Sequence, residues 1–163
     1  MKLAFGYKMR SGKDTCVNYL LDKYGGKKIT FAKYLYNALH SVQNIFKLPI
    51  EKDREFLQIV GDWGRNKDEN IFVNLELSEC DDNDPNTNYF CNDLRFLNEF
   101  KALKSNGWTC IKIIREITTE KSSHISEIDL ESLKDDEWNY IIDNNGTLEE
   151  LYTKIDTIVD KIK

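Results

Sequence analysis

The sequence predicts a doubly wound α/β domain on a largely parallel sheet, and three observations carry that expectation. Short apolar runs alternate with stretches of helical periodicity along the chain. The run Thr109–Arg115 is near-continuously apolar through Cys110, Ile111, Ile113 and Ile114, as a strand covered on both faces requires. A basic, glycine-containing loop joins the first run to the first helical stretch, at the carboxyl end of a strand where such sheets bind ligands. The 163 residues suffice for one core, and 40% hydrophobic content with only two prolines and eight glycines excludes collagen-like, low-complexity and disordered classes.

The elements follow in order. Leu3-Ala4-Phe5, ending at Gly6, reads as a strand, and from Lys13 the residues Val17, Leu20, Leu21 and Tyr24 recur at helical spacing. Gly25-Gly26 stops that helix; Lys27 to Phe31 reads as a second strand. Leu35, Leu39, Val42 and Phe46 mark a further helical face, closed by Pro49. Glu51 to Val60 and Lys67 to Leu77 read as two more helices inserted between strands, with Gly61-Asp62-Trp63-Gly64 as the turn that separates them. Ser78 to Asn88, rich in Asp and Asn, reads as a surface connection whose spacing does not fit an EF-hand. A short strand from Asn88 to Asn92 ends at Asp93, before a helix with Leu97, Phe100 and Leu103 closed by Gly107. Trp138 to Ile142 is the last strand. Thr147 and Glu150 then form the capping box of a helix presenting Leu148, Leu151, Tyr152, Ile155, Ile158, Val159 and Ile162.

A net charge of -5 lacks the basic excess of duplex-binding proteins, so the expected partner is a small molecule rather than nucleic acid. No apolar stretch approaches the roughly 20 residues of a membrane-spanning helix, which predicts a cytoplasmic protein without secretion signal or anchor. Cys16, Cys80, Cys91 and Cys110 are scattered singly, the pattern of reduced, buried thiols rather than of a zinc site.

The chemistry concentrates in Gly6-Tyr7-Lys8-Met9-Arg10-Ser11-Gly12-Lys13-Asp14-Thr15. Between a strand and a helix, backbone N–H groups and the helix dipole can hold a phosphate chain. Gly12 lets the backbone approach the anion, Lys13 bridges β- and γ-phosphates, and Arg10 adds a guanidinium for the moving phosphoryl group. Two positions depart from Gly-x-x-x-x-Gly-Lys-Ser/Thr. Tyr7 stands where the first glycine belongs, with Gly6 one place early, and Asp14 replaces the hydroxyl after the lysine. A carboxylate there can hold Mg²⁺ directly or through water, with Thr15 supplying a second oxygen.

With these residues the sequence resembles the deoxynucleoside monophosphate kinases of phages and large DNA viruses, in the P-loop nucleoside monophosphate kinase-like group. The likeness rests on Arg10-Ser11-Gly12-Lys13-Asp14-Thr15, Thr30-Phe31-Ala32-Lys33, Asn92-Asp93-Leu94-Arg95-Phe96-Leu97-Asn98-Glu99, and His124-Ile125-Ser126-Glu127 with Asn144-Asn145-Gly146-Thr147. It implies a three-layer P-loop NTPase fold with about five parallel strands, a helical acceptor-binding insertion at about 47–87 and a lid at about 116–137. ATP and Mg²⁺ are the implied cosubstrates, in a monomer or homodimer of the host-cell cytoplasm that serves viral deoxynucleotide biosynthesis.

The resemblance also distributes roles. Asp93 matches the acidic residue of a Walker B-like segment, its alternative being a helix N-cap. Arg95 matches the arginine of Asp-x-Arg-Phe, suited to an acceptor phosphate, its alternative being a surface ion pair. Lys33, Arg54, Gln58 and Arg65 are placed around the acceptor; Arg54 and Gln58, four apart, share a helical face. Trp63 either stacks on a base or packs. Arg115 is assigned to the phosphates at the start of the lid, Lys121 to the lid or to plain surface, and His124, Ser126 and Glu127 to lid structure. Asn144 is assigned to the adenine side or to a simple turn. Two rivals share parts of the pattern: animal-type phosphomevalonate kinase, with a comparable Ser-Gly-Lys-Asp loop, and a catalytically silent nucleotide-binding module.

Overall fold

A computed structural model describes residues 1–80, 84, 86–116 and 125–163, with the side chains of 126 and 127 excepted. Five strands form one parallel sheet in the order β2-β3-β1-β4-β5, with β1 Lys2–Gly6, β2 Lys27–Ile29, β3 Tyr89–Leu94, β4 Thr109–Ile114 and β5 Tyr140–Asp143. The helices are α1 Lys13–Tyr24, α2 Lys33–Ile45, α3 Arg54–Lys67, α4 Ile71–Ser78, α5 Leu97–Ser105, α6 Ile125–Ile128 and α7 Leu148–Ile162. Two compact units result, Met1–Ile29 with Asp81–Lys163, and Thr30–Cys80, so α2 groups with the helices expected at 47–87.

In the first unit β1 is central, and Leu3, Ala4 and Phe5 are wholly buried, which is why this run is apolar without alternation. One face of the sheet packs Leu3, Phe5, Phe90, Ile111, Ile113 and Ile142 against Cys16, Val17 and Leu20 of α1 and Leu151, Ile155 and Val159 of α7. The two helices are tied at their rims. Tyr19 stacks on Tyr152 at 4.0 Å, and Asp156 accepts from Tyr19 at 2.7 Å and from Lys23 at 2.7 Å. Thr147 caps α7 as expected, its Oγ1 accepting from Glu150 N while the Glu150 carboxylate accepts from Thr147 N.

Four segments differ from the sequence expectation. β2 stops at Ile29 because Lys33 N already donates to Thr30 O at 2.9 Å, closing a turn that leads into α2. β3 runs on through Asp93 to Leu94. β5 begins two residues late, since Trp138 packs edge-on against Phe100, 4.9 Å between centroids, instead of joining the ladder.

The fourth difference concerns Gly61-Asp62-Trp63-Gly64, which is helix, not turn: α3 runs through it and the break falls at Asp68–Asn70. Gly61 and Gly64 are both buried. A Cβ on Gly64 would lie 2.8 Å from the Phe72 ring, and one on Gly61 would lie 2.8 Å from Arg65 Nη2 and 3.4 Å from Leu35 Cδ1. These glycines serve close packing within the second unit, at a helix-propensity cost of about 1 kcal/mol each. Gly64→Leu is expected to destabilise by about 1–3 kcal/mol despite its better propensity, read as a lower melting temperature. A turn glycine exposed to solvent would show no such loss.

Cys16, Cys91 and Cys110 are buried free thiols, whereas Cys80 is only half-buried. Burial pushes Cys16 and Cys110 up to about 12 and Cys91 well above its ordinary value. At pH 8 a disulfide reagent is therefore expected to titrate Cys80 alone in the folded protein and all four on unfolding. Rapid labelling of three thiols in the folded state would contradict this core.

Candidate active site

The chain leaves β1 at Gly6, crosses a loop and turns at Gly12 into α1, whose first turn carries no side-chain cap. Gly12 sits at φ +106°, a conformation that side chains resist, and a Cβ there would overlap Asn144 Nδ2. Tyr7 holds φ +98° and Arg10 φ +61°. Tyr7, at the place of the motif's first glycine, thus adopts a glycine-like backbone at a cost of roughly 1–3 kcal/mol.

The surroundings over-determine that conformation. The Lys112 ammonium lies 4.4 Å from the Tyr7 ring centroid and pairs with Asp135 at 2.7 Å, while Lys8 pairs with Glu131 at 2.8 Å. Lys112 stands on β4 opposite Gly6, so the sheet register delivers it to the start of the loop.

Lys13, the first residue of α1, is only 5% exposed and turns its side chain back over the loop. Its ammonium donates to Tyr7 O at 3.1 Å, to Lys8 O and to Ser11 Oγ at 3.4 Å. A charged donor is thus encircled by its own loop, at the N-terminal end of a 12-residue helix. Ser11, 1% exposed, is fixed from below: its carbonyl accepts from Asn144 Nδ2 at 2.8 Å, and Asn144 N donates to Ile114 O at 2.7 Å. Asn144 therefore braces the loop from the β4–β5 edge, a contact the sequence did not disclose.

Asp14, exposed in the first turn of α1, accepts hydrogen bonds from Asn92 Nδ2 and, at 3.3 Å, from Lys28 Nζ. Thr15 is half-buried beside it, and Arg10 is exposed. On β3, Phe90 belongs to the core packed against α1 and Asn92 reaches Asp14, so both point to the α1 face. Alternation sends Asp93 to the other face, where its carboxylate accepts from Cys91 Sγ at 3.5 Å.

Asp93 is not the N-cap of α5. α5 begins at Leu97 after Phe96, and Glu99, 5% exposed, accepts from Arg95 N at 2.8 Å and Phe96 N at 2.9 Å. Arg95, half-buried, lies between β3 and α5, and Asp129 accepts from Leu97 N at 2.6 Å, tying that corner to the segment after α6. Arg115 is exposed just beyond β4, and its neighbour Glu116 N donates to Asn145 Oδ1 at 2.8 Å.

Lys33, Arg54, Gln58 and Arg65 belong to the second unit. Arg54, Gln58 and Arg65 recur on one stripe of α3. Arg65 pairs with Asp62 at 2.8 Å and lies 5.7 Å from the Phe72 ring, Lys33 pairs with Glu79, and Arg54 is exposed. Trp63 is 61% exposed with Lys67 Nζ 5.9 Å from its ring. Lys121 and His124 lie outside the described residues, as do the side chains of Ser126 and Glu127.

The sequence reading did not single out Asn92, Lys28, Lys112 or Asp135. Period-two alternation along Phe90-Cys91-Asn92-Asp93 already contained the signal for Asn92, since Phe90 is the more evident core residue.

A parallel sheet whose first strand feeds a Gly-Lys loop into a helix is the arrangement of P-loop nucleotide-binding proteins. The fold agrees with a solved dephospho-CoA kinase from Campylobacter jejuni, at TM-score 0.52 and 18% identity, covering 99% of this chain and 98% of that one. The family profile for deoxynucleotide monophosphate kinase matches residues 54–155. A candidate deoxynucleotide monophosphate kinase of Acanthamoeba polyphaga mimivirus is 30% identical across 92% of this chain and 91% of its own length. The chain belongs to the deoxynucleotide monophosphate kinase family. Uncharacterized protein ORF77 of Ictalurid herpesvirus 1 (strain Auburn) is 34% identical over 82% of this chain, which spans 60% of that longer relative. The deoxynucleotide monophosphate kinase of Escherichia phage RB69 is 35% identical over 44% of this chain and 28% of its own length.

Proposed function

We propose that the protein transfers the γ-phosphoryl group of ATP to the 5′-phosphate of a deoxynucleoside monophosphate, releasing ADP and a deoxynucleoside diphosphate. The observation that carries this reading is the Lys13 ammonium, buried within a loop of strained backbone at the start of α1, in a chain of this family. The donor set suits a triphosphate: loop amides and Lys13 supply positive potential where β- and γ-phosphate oxygens carry charge. An oxygen of the acceptor phosphate bonds to the γ-phosphorus as the bond to the ADP oxygen breaks. No protein nucleophile is needed, because alignment and charge neutralisation supply the catalysis.

Lys13 holds the β,γ-oxygens, while Arg10 and Arg115 neutralise charge on the moving group, and Asn144 keeps Ser11 and Gly12 in place. Arg95 takes the acceptor phosphate, Asp93 orients the acceptor or metal-bound water, and Lys33, Arg54, Gln58 and Arg65 recognise the acceptor. For Arg65 and Lys33 that recognition exchanges Asp62 and Glu79 for a phosphate dianion.

Among the described residues no group of three or more His, Cys, Asp or Glu side chains forms a metal cage. The donor set of the loop suits a cation held mostly by phosphate oxygens and water, as Mg²⁺ is, with Asp14 and Thr15 as its protein contacts. When bound, Mg²⁺ supplies further neutralisation of the triphosphate charge. Among the described residues no helix is long and apolar enough to cross a membrane. A small-molecule nucleotide partner and a place in the host-cell cytoplasm complete the reading.

ADP release measured with dAMP, dGMP, dCMP, dTMP and phosphomevalonate tests it. A signal confined to deoxynucleotides is expected. A phosphomevalonate signal, or none with any acceptor, would overturn the assignment.

A further inference from the structure

P-loop enzymes commonly hold their Mg²⁺ with a hydroxyl that follows the loop lysine on the helix and a carboxylate on a neighbouring strand. In this chain the helix position is Asp14, and the side chain that reaches it from β3 is Asn92, whose amide donates to the Asp14 carboxylate. The facing pair therefore persists with its negative charge moved from strand to helix. Asn92 is 8% exposed and lies on a strand hydrogen-bonded to β1, so its amide is held by the sheet, whereas the Asp14 side chain is 74% exposed. A donor held by the sheet thus meets an exposed acceptor. Lys28, on β2, contributes a second hydrogen bond to the same Oδ1 oxygen. Both hydrogen bonds fall on Oδ1 and leave Oδ2 of the same carboxylate as the oxygen for a hydrated cation.

We infer that Asn92 is a positioning residue that fixes the Asp14 carboxylate for the cation of a metal–nucleotide complex. The inference rests on the reading of the loop as the metal–ATP site. It specifies the chemistry of that site: one acidic oxygen donor on the helix, oriented by a neutral amide on the strand, for a hard divalent cation. An acidic residue facing α1 from β3 is not required for that task, and Asp93 lies on the opposite face.

Calorimetric titration with a non-hydrolysable ATP analogue, with Mg²⁺ and with chelator, tests this independently of turnover. The quantity read is the metal-dependent gain, the ratio of the two dissociation constants. Asn92→Ala is expected to reduce the gain about 10-fold or more, the usual effect of removing a ligand's supporting partner, with metal-free affinity within about twofold of wild type. Asp14→Asn is expected to reduce it at least as far. The isosteric exchange Asp14→Asn with Asn92→Asp restores the same pair in the opposite sense and is expected to recover most of the gain.

A gain in Asn92→Ala equal to wild type, or an exchanged variant no better than Asp14→Asn, would overturn the inference. Because the exchange preserves side-chain shape at both positions, it still answers the question if Asn92→Ala misfolds. Should wild type bind the analogue neither with Mg²⁺ nor without, the reading of the loop itself falls; should it bind with a gain indifferent to these residues, only the role of Asn92 falls.

Discussion

Replacing Lys13 by alanine is expected to lower kcat/KM for phosphoryl transfer about 100- to 1,000-fold, the loss that follows removal of one preorganised charge-stabilising donor. The ammonium stands among Tyr7 O, Lys8 O and Ser11 Oγ. Its removal leaves two carbonyls to be met by water, a cost of about 1 kcal/mol that shifts the melting temperature by roughly 2–4 °C. Activity and stability thus separate. Steady-state ADP release and a thermal melt on the same preparation check both. Near-normal turnover would remove the loop from the chemistry, and a collapse of the melt would make Lys13 a structural residue.

Gly12→Ala is expected to fail in both respects. The backbone at φ +106° disfavours a side chain by about 1–2 kcal/mol, and the added methyl overlaps Asn144 Nδ2. Asn144 cannot retreat freely, because the same nitrogen holds Ser11 O at 2.8 Å and its backbone N holds Ile114 O. The combined loss is about 3 kcal/mol, a fall of roughly 6–12 °C in melting temperature together with loss of nucleotide binding. A double-mutant cycle with Asn144→Ala separates the causes: the overlap is relieved in the double variant, while the backbone strain remains. Full recovery would show that conformation at residue 12 costs little, and no recovery would show that Asn144 is not the obstacle.

Tyr7 illustrates the opposite case. By residue type the motif is broken at its first position, yet the backbone there retains φ +98°, supported by Lys112 over the ring and by the anchoring of Lys112 to Asp135. Sequence comparison registers the missing glycine. Only the assembled structure shows that the geometry survives without it.

The legible parts were those written in local patterns. The covered strands β1 and β4 announce themselves by uninterrupted apolar runs, α7 by its period and its Thr147–Glu150 box, and the loop by Gly12-Lys13 between strand and helix. The misread turn at residues 61–64 shows where locality fails, since glycine serves a turn and a tight helix contact alike, and Phe72 decides between them. Asp93 and Asn92 make the same point for the site: adjacent in sequence, they face opposite sides of the sheet, and α1 lies on only one of them.

By itself the chain determined the order of strands and helices, the place of the phosphate loop and the family, because hydrophobic period, capping and residue chemistry act over a few residues. Tertiary structure alone decided which strand side chain meets Asp14, what braces Ser11 and how a tyrosine keeps a glycine's conformation. Those outcomes depend on strand register and on contacts between segments up to 133 residues apart, which no local pattern encodes.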